Sequence, residues 1–234
     1  VTGAPARSEH GTMGGEMATE SRHAPLRADA ERNRRRLIDA AAELFNERGI
    51  DASIAEIRER AGVGQGTVFR HFPTKEHLMA AVMRERMDAL TAAAQERLEA
   101  DDPAEALHEF MAIAAENKSI DQTIYRSICS ANVLPTGDER ELRGRLVAAI
   151  ADLLARAKAA GSIREDVTPE DVLLLEGAAS YAGSMLVDTA PGMWRRYLDL
   201  MFDGMRPEGA HPLGHAAPTP RQLDEVMARR DPAA

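Results

Sequence analysis

Leu37, Ala40, Ala41, Leu44 and Phe45 follow one another at i, i+3, i+4, i+7 and i+8 among charged neighbours. That spacing puts five apolar side chains on one stripe and predicts an amphipathic helix, capped upstream by Asp29 and closed by Gly49. Upstream of it, residues 1–26 show no periodicity and are expected to be unstructured. "SIAE" at 53–56 is a Ser-x-x-Glu capping box, so a short second helix starts there, turns Ile54, Ile57 and Ala61 inward, and stops at Gly62. After a turn of about three residues a third helix begins, and Pro73 limits it to roughly two turns. Thr74 then caps a fourth helix whose first turn carries Lys75.

Two short helices joined by a Gly-containing turn make a helix-turn-helix. On the third helix Val68 and Phe72 point one way and form the buried face. The opposite face holds Gly66, Thr67 and Arg70, flanked by Phe69 and His71, with Gln65 reaching outward from the helix start. A small residue, a hydroxyl and a guanidinium are what a groove-reading helix needs, because they combine close approach with a long bidentate donor. The capped helix starts at Ser53 and Thr74, the second backed by Lys75, suit phosphates. Arg32, Arg34, Arg35 and Arg36 form a basic run on the first helix, either a solvated face or a set of phosphate and minor-groove contacts.

The second half of the chain reads as longer helices. Pro103 opens one, with apolar positions at Leu107, Phe110, Met111, Ile113 and Ala114, and residues 104–134 make one or two helices before Pro135 and Gly137 break the chain. Residues 138–161 are amphipathic and end at Gly161. Thr168 and Asp171 cap a further helix with Pro169 at its first position. From Val172 to Val187, 11 of 16 residues are hydrophobic, two more are glycine, and Glu176 is the only charge. A helix apolar all round must be covered on two sides, one of them by an identical helix across a two-fold axis, or by its own fold in a monomer. Leu174, Ala178, Tyr181, Ala182 and Met185 are its interface candidates, joined by Trp194, Leu198 and Met201 from the aromatic and Met-rich stretch at 191–204. Residues 205–218 read as a linker and 219–230 as a short terminal helix.

Composition supports an all-α fold, since only 4% of residues are aromatic while 44% are hydrophobic. The single cysteine, Cys129, excludes an internal disulfide and a multi-cysteine metal site. His211 and His215 lie four apart, but in a Pro-containing linker, so no metal is expected. No apolar run approaches the ~20 residues that span a bilayer, and the expected setting is the cytoplasm without membrane contact. Charge is uneven: residues 27–86 carry 12 Lys and Arg against 10 Asp and Glu, whereas residues 87–234 carry 15 against 25. A locally basic head on an acidic body points to a polyanion as the partner of the head. No Gly-rich phosphate loop, no His-Glu-x-x-His and no base paired by motif with Cys129 are present, which argues against an enzyme and against a cofactor.

"LIDAAAELFNERGIDASIAEIRERAGVGQGTVFRHFPTKEHLMAAV", residues 37–82, resembles the DNA-binding domain of the tetracycline-repressor (TetR) family of bacterial transcription regulators. The string at 61–78 is its most specific part, and "ERNRRR" at 31–36 is similar to the basic arm before helix one in many members. The resemblance implies a homodimeric repressor that binds a palindromic double-stranded operator and is released by a small-molecule effector; a DNA-binding protein without an effector is the alternative. Two departures stand out: Phe69 replaces a tyrosine whose hydroxyl meets a phosphate, leaving a packing and backbone-proximal role, and Arg58 replaces a small residue. The implied division is an extension at 1–26, a helix-turn-helix domain at 27–74, an effector-binding and dimerisation domain at 75–204, and a linker with a short helix at 205–234. The implied pocket lies between the helices of 75–187, with Met83, Met87, His108, Phe110, Met111, Tyr125, Cys129, Glu176 and Tyr181 as candidate lining groups. Glu176 stands out because a carboxylate on an apolar helix must be paired, protonated or useful.

Overall fold

A computed structural model describes residues 17–116 and 136–229 of the chain. Among the described residues there are nine α-helices and no strand: α1 Met17–Arg48, α2 Ile54–Ala61, α3 Gln65–His71, α4 Lys75–Glu96, α5 Pro103–Glu116, α6 Thr136–Ala159, α7 Pro169–Ser184, α8 Trp194–Gly204 and α9 Pro220–Arg229. The helices form around two apolar cores.

The first core belongs to the head. Leu37, Ala41, Leu44 and Phe45 of α1 are at most 2% exposed and meet Ile57 and Ala61 of α2, Val68 of α3, and Leu78, Met79, Val82 and Met83 of α4. Ser53 and Glu56 form the capping box of α2. Arg60 of α2 reaches back to Glu47 of α1 with two hydrogen bonds of 2.9 and 3.0 Å, which fixes the angle between these helices.

The second core is larger and brings α5, α6, α7 and α8 together around Phe110, Met111, Ile150, Leu153, Val172 and Phe202. Asp102 caps α5 by accepting from the backbone N–H groups of Ala104 and Glu105. Thr168 and Asp171 cap α7 reciprocally, with Pro169 in the first turn. Helix α4 enters both cores, with Leu78 to Met83 in the head and Leu90 and Ala94 in the body.

Several expectations need correction. Helix α1 starts at Met17 rather than after Asp29, so residues 17–26 are helical and Asp29 is an interior residue paired with Arg32. Once an anchored helix exists, extending it costs far less than nucleating it, and the extension carries through Pro25. Residues 1–16 lie outside the described residues. Gly137 does not break the chain but sits inside the first turn of α6. Ile113 is 37% exposed, whereas its four partners on α5 are buried. Residues 117–135, which include Tyr125 and Cys129, lie outside the described residues.

The corner between α7 and α8 depends on a glycine. Gly183 is buried, and a Cβ there would lie 2.4 Å from the Trp194 Cβ and 2.7 Å from its backbone nitrogen. Backbone cannot move aside as a flexible side chain does. We therefore expect Gly183→Ala to destabilise the body by about 1–3 kcal/mol, the usual cost of overpacking. A thermal melt checks this, and an unchanged Tm would show that α8 is free to shift.

Candidate nucleic-acid interface

Helix α3 is held from behind by two side chains. Val68 is fully buried and Phe72, the residue after its last turn, is 3% exposed. The turn before it requires Gly62, whose φ of 64° lies in the left-handed region that favours glycine. Its N–H donates to the Glu59 carbonyl (3.1 Å), and the Val63 N–H donates to the Arg58 carbonyl (3.3 Å), so the end of α2 is satisfied.

With those contacts fixed, α3 turns Gln65, Gly66 and Arg70 to the outside and leaves Thr67 and His71 half-buried. A Cβ added to Gly66 would meet nothing within 4 Å. No neighbour among the described residues therefore demands a glycine at this position. Phe69 is 48% exposed and belongs to neither core. It is a large apolar side chain facing out beside Gly66 and Arg70.

The arginine run divides into two pairs. Arg32 bonds Asp29, and Arg35 bonds Asp39 at 3.0 Å and Glu85 of α4 at 3.2 Å, so these two stabilise α1. Arg34 and Arg36 face the helix-turn-helix instead. The Arg34 guanidinium lies over the Phe72 ring, 5.5 Å from its centroid, and the Arg36 guanidinium nitrogen lies 2.8 Å from where a Gly62 Cβ would be. Among the described residues neither of them, nor Arg70, makes an ion pair with a carboxylate, so three guanidinium charges collect around α3 uncompensated. Burial, followed by the nearby charges of Arg70 and Arg34, pushes the His71 imidazole below its ordinary 6.5 against a weaker pull from Glu31. His71 is therefore an uncharged imidazole at neutral pH, and its Nε2 is buried without a hydrogen-bond partner.

The helix starts are less open than their capping residues suggest. The Ser53 hydroxyl accepts from the Glu56 N–H (3.2 Å) and donates to the Glu56 carboxylate (2.8 Å), which also accepts from the Ser53 N–H. That carboxylate, its pKa lowered by the Ser53 hydrogen bonds, puts a negative charge where a phosphate was expected. Ser53 is thus a capping residue. Thr74 occupies the N-cap of α4 without capping its backbone; its hydroxyl meets His77 Nδ1 at 3.0 Å instead. Lys75 is half-buried and donates to the Ile50 carbonyl, tying α4 to the turn between α1 and α2 and leaving two N–H groups of the ammonium for another acceptor.

Comparison with known proteins agrees with this arrangement. The profile for bacterial regulatory proteins of the tetR family matches residues 37–82, and that for the C-terminal domain of SbtR-like transcriptional regulators matches residues 102–207. A TetR transcriptional regulator from Streptomyces coelicolor is 31% identical over 75% of this chain and 99% of its own, with a TM-score of 0.60. The chain belongs to the TetR family. A second member, from Mycobacterium vanbaalenii, is 33% identical over 78% of this chain and 99% of its own, with a TM-score of 0.57. The regulator BetI of Escherichia coli is 41% identical over 85 residues, 36% of this chain and 44% of BetI, so less than half of that relative is matched. TetR membership places the chain among transcriptional regulators rather than enzymes.

The other candidate residues are scattered. Met83 and Met87 pack in the TetR-type head, and Phe110 and Met111 are fully buried in the body core. His108 bonds Asp199 of α8 at 2.9 Å and stands edge-on to Phe202. Glu176 is 2% exposed on the inner side of α7, whereas Tyr181 is 70% exposed on its outer side. Leu174, Ala178, Tyr181 and Met185 together form that outer side, with Ala182 half-buried beside them. On α8, Trp194 and Met201 are half-buried and pack against the body core. Leu198 is 1% exposed within that core, so it faces its own domain and is removed from the interface set. Among the described residues no group of His, Cys, Asp and Glu could hold a metal, and no helix is long and apolar enough to cross a membrane.

Gly66 offers a clean separation of fold from contact. Gly66→Leu should raise stability by about 0.5–1 kcal/mol through helix propensity, because the side chain enters open space. Its affinity for duplex DNA should fall at least tenfold, about 1.4 kcal/mol. Melting and fluorescence anisotropy on one preparation test both, and unchanged DNA binding would remove α3 from the interface.

Proposed function

We propose that this TetR-family protein is a homodimeric repressor that binds an inverted-repeat DNA site through the outer face of α3 and is released by a small-molecule effector. The observation that carries the reading is the face itself, with open space at Gly66, an exposed Phe69 and the Arg70 guanidinium, flanked by Arg34 at Phe72 and Arg36 at Gly62. Arg70 has the reach and the bidentate donors to read a guanine, Gln65 those to read an adenine, and the Thr67 hydroxyl suits either base or phosphate. Arg34, Arg36, Lys75 and His71 suit phosphates, the last as a neutral N–H donor.

One head reads only a half-site. A second copy supplies the other, and α7 presents the surface for it: Leu174, Tyr181 and Met185 are 49%, 70% and 70% exposed on one apolar side of the helix. Pairing these strips sets the separation of the two α3 helices, which must be about 34–36 Å to enter successive major grooves. An effector that prefers another separation releases the DNA, and DNA weakens effector binding by the same factor.

The test begins with duplexes selected from a random pool. Selected sites should contain two inverted half-sites, and light scattering should give twice the chain mass. Tyr181→Glu should yield a folded monomer whose affinity for the full site falls to that for one half-site. A monomeric wild-type protein that binds a single half-site as tightly as the full site would overturn the dimeric reading.

A further inference from the structure

Helices α4 and α6 run parallel and are clamped together at two levels. Near the head, Arg145 of α6 bonds Asp88 of α4 at 2.7 Å. Farther out, Arg156 donates to the carbonyls of Ala100 (2.9 Å) and Arg97 (3.3 Å), just past the end of α4. Between the clamps lies a cleft of about 460 Å3. It opens on the outside of the body core, which it touches at Ala149.

The lining has a definite chemistry. Three alanines, Ala92, Ala148 and Ala149, supply an apolar wall, while Thr91, Gln95 and Asp152 supply polar groups between the Asp88–Arg145 pair and the outer clamp. Thr91 is 8% exposed and spends its hydroxyl hydrogen on the Met87 carbonyl (2.8 Å), so toward the cleft its oxygen can only accept. The Arg145 charge is matched by Asp88, and among the described residues Asp152 makes no ion pair. Asp152 is thus the one carboxylate of the lining without an ion pair, while Arg156 of the outer clamp brings a positive charge to the far edge of the cleft. A volume near 460 Å3 falls in the range of small-molecule sites.

The geometry points to this cleft as a binding site for a small organic cation, a protonated amine on a compact apolar body. Its ammonium meets Asp152 and the Thr91 oxygen, and its apolar part lies on the alanine methyls. The inference rests on the effector reading given above, because a guest wedged between the clamps acts on α4, which begins three residues after α3 ends.

The probe is 2-phenylethylammonium, compared with 2-phenylethanol and phenylacetate, and the readout is the alanine methyl spectrum of the full chain. The ammonium should shift the Ala148 and Ala149 methyls saturably. The alcohol should bind roughly fivefold more weakly, the contribution of one exposed ion pair, and the anion should not bind. Asp152→Asn should cost the ammonium the same roughly fivefold, and Ala148→Phe should fill the cleft and abolish the shifts. Absence of a saturable shift up to about 10 mM, above the Kd of a millimolar fragment, would overturn the site. So would equal binding of the ammonium and the anion. A duplex titration of the ammonium-saturated protein separates the two claims: weaker DNA binding supports both, whereas unchanged DNA binding keeps the cleft and overturns effector release.

Discussion

Helix α4 is buried in two cores at once, and the arrangement of the molecule depends on that. Its first half gives Leu78, Met79, Val82 and Met83 to the head, its second half gives Leu90 and Ala94 to the body, and no break lies between them. Four buried side chains, worth up to ~1.5–3 kcal/mol each, make the head end a firm attachment. Around it, Lys75 reaches the Ile50 carbonyl and Glu85 holds Arg35, while Arg145 and Arg156 hold α6 at the other end. Exposed pairs of this kind add at most about 1 kcal/mol each, so apolar burial fixes the helix and the polar contacts set its register.

The basic character of the head is a matter of pairing more than of composition. A surplus of two positive charges over residues 27–86 is small. Arg32, Arg35, Arg48 and Arg60 are neutralised by Asp29, Asp39, Glu56 and Glu47, none of them a residue of α3. Among the described residues Arg34, Arg36 and Arg70 make no ion pair: Arg70 lies on the face where Gly66 leaves room and Phe69 is exposed, and Arg34 and Arg36 reach the ends of the helix-turn-helix at Phe72 and Gly62. An acidic protein can thus offer a cationic surface to a polyanion while the rest of its surface repels one.

Local patterns carried much of this to the reader of the sequence, and long-range partners did not. The capping boxes at Ser53 and Thr168, the stripe from Leu37 to Phe45 and the buried pair Val68 and Phe72 all follow from spacings of three and four, and each is present. The pairings of Arg32 with Asp29 and Arg35 with Asp39 carry the same signal, and they put these two on the solvated side of the alternative that the arginine run leaves open. Lys75 and Ile50 lie 25 residues apart, and Arg35 and Glu85 lie 50 apart, so no periodicity announces them. Leu198 and Trp194 share one apolar helix face, and only the packed body shows that Leu198 is enclosed while α7 keeps an open side. The cleft between α4 and α6 was illegible for a related reason: its wall is alanine, which reads as ordinary helix, and its polar groups come from segments more than 50 residues apart.

The coupling of head to body through an unbroken α4 is tested most directly by inserting one alanine between Ala89 and Leu90, both beyond the head core and within the helix. The insertion turns one end of α4 by about 100° and shifts it by about 1.5 Å relative to the other while keeping both apolar sets intact. The quantity to measure is the affinity of the inserted protein for the full inverted-repeat duplex relative to a single half-site. A rigid α4 predicts that helix content and half-site binding are retained while the preference for the full site is lost. A full-site preference equal to that of the unaltered chain would show that the heads reorient freely and that α4 does not set their spacing.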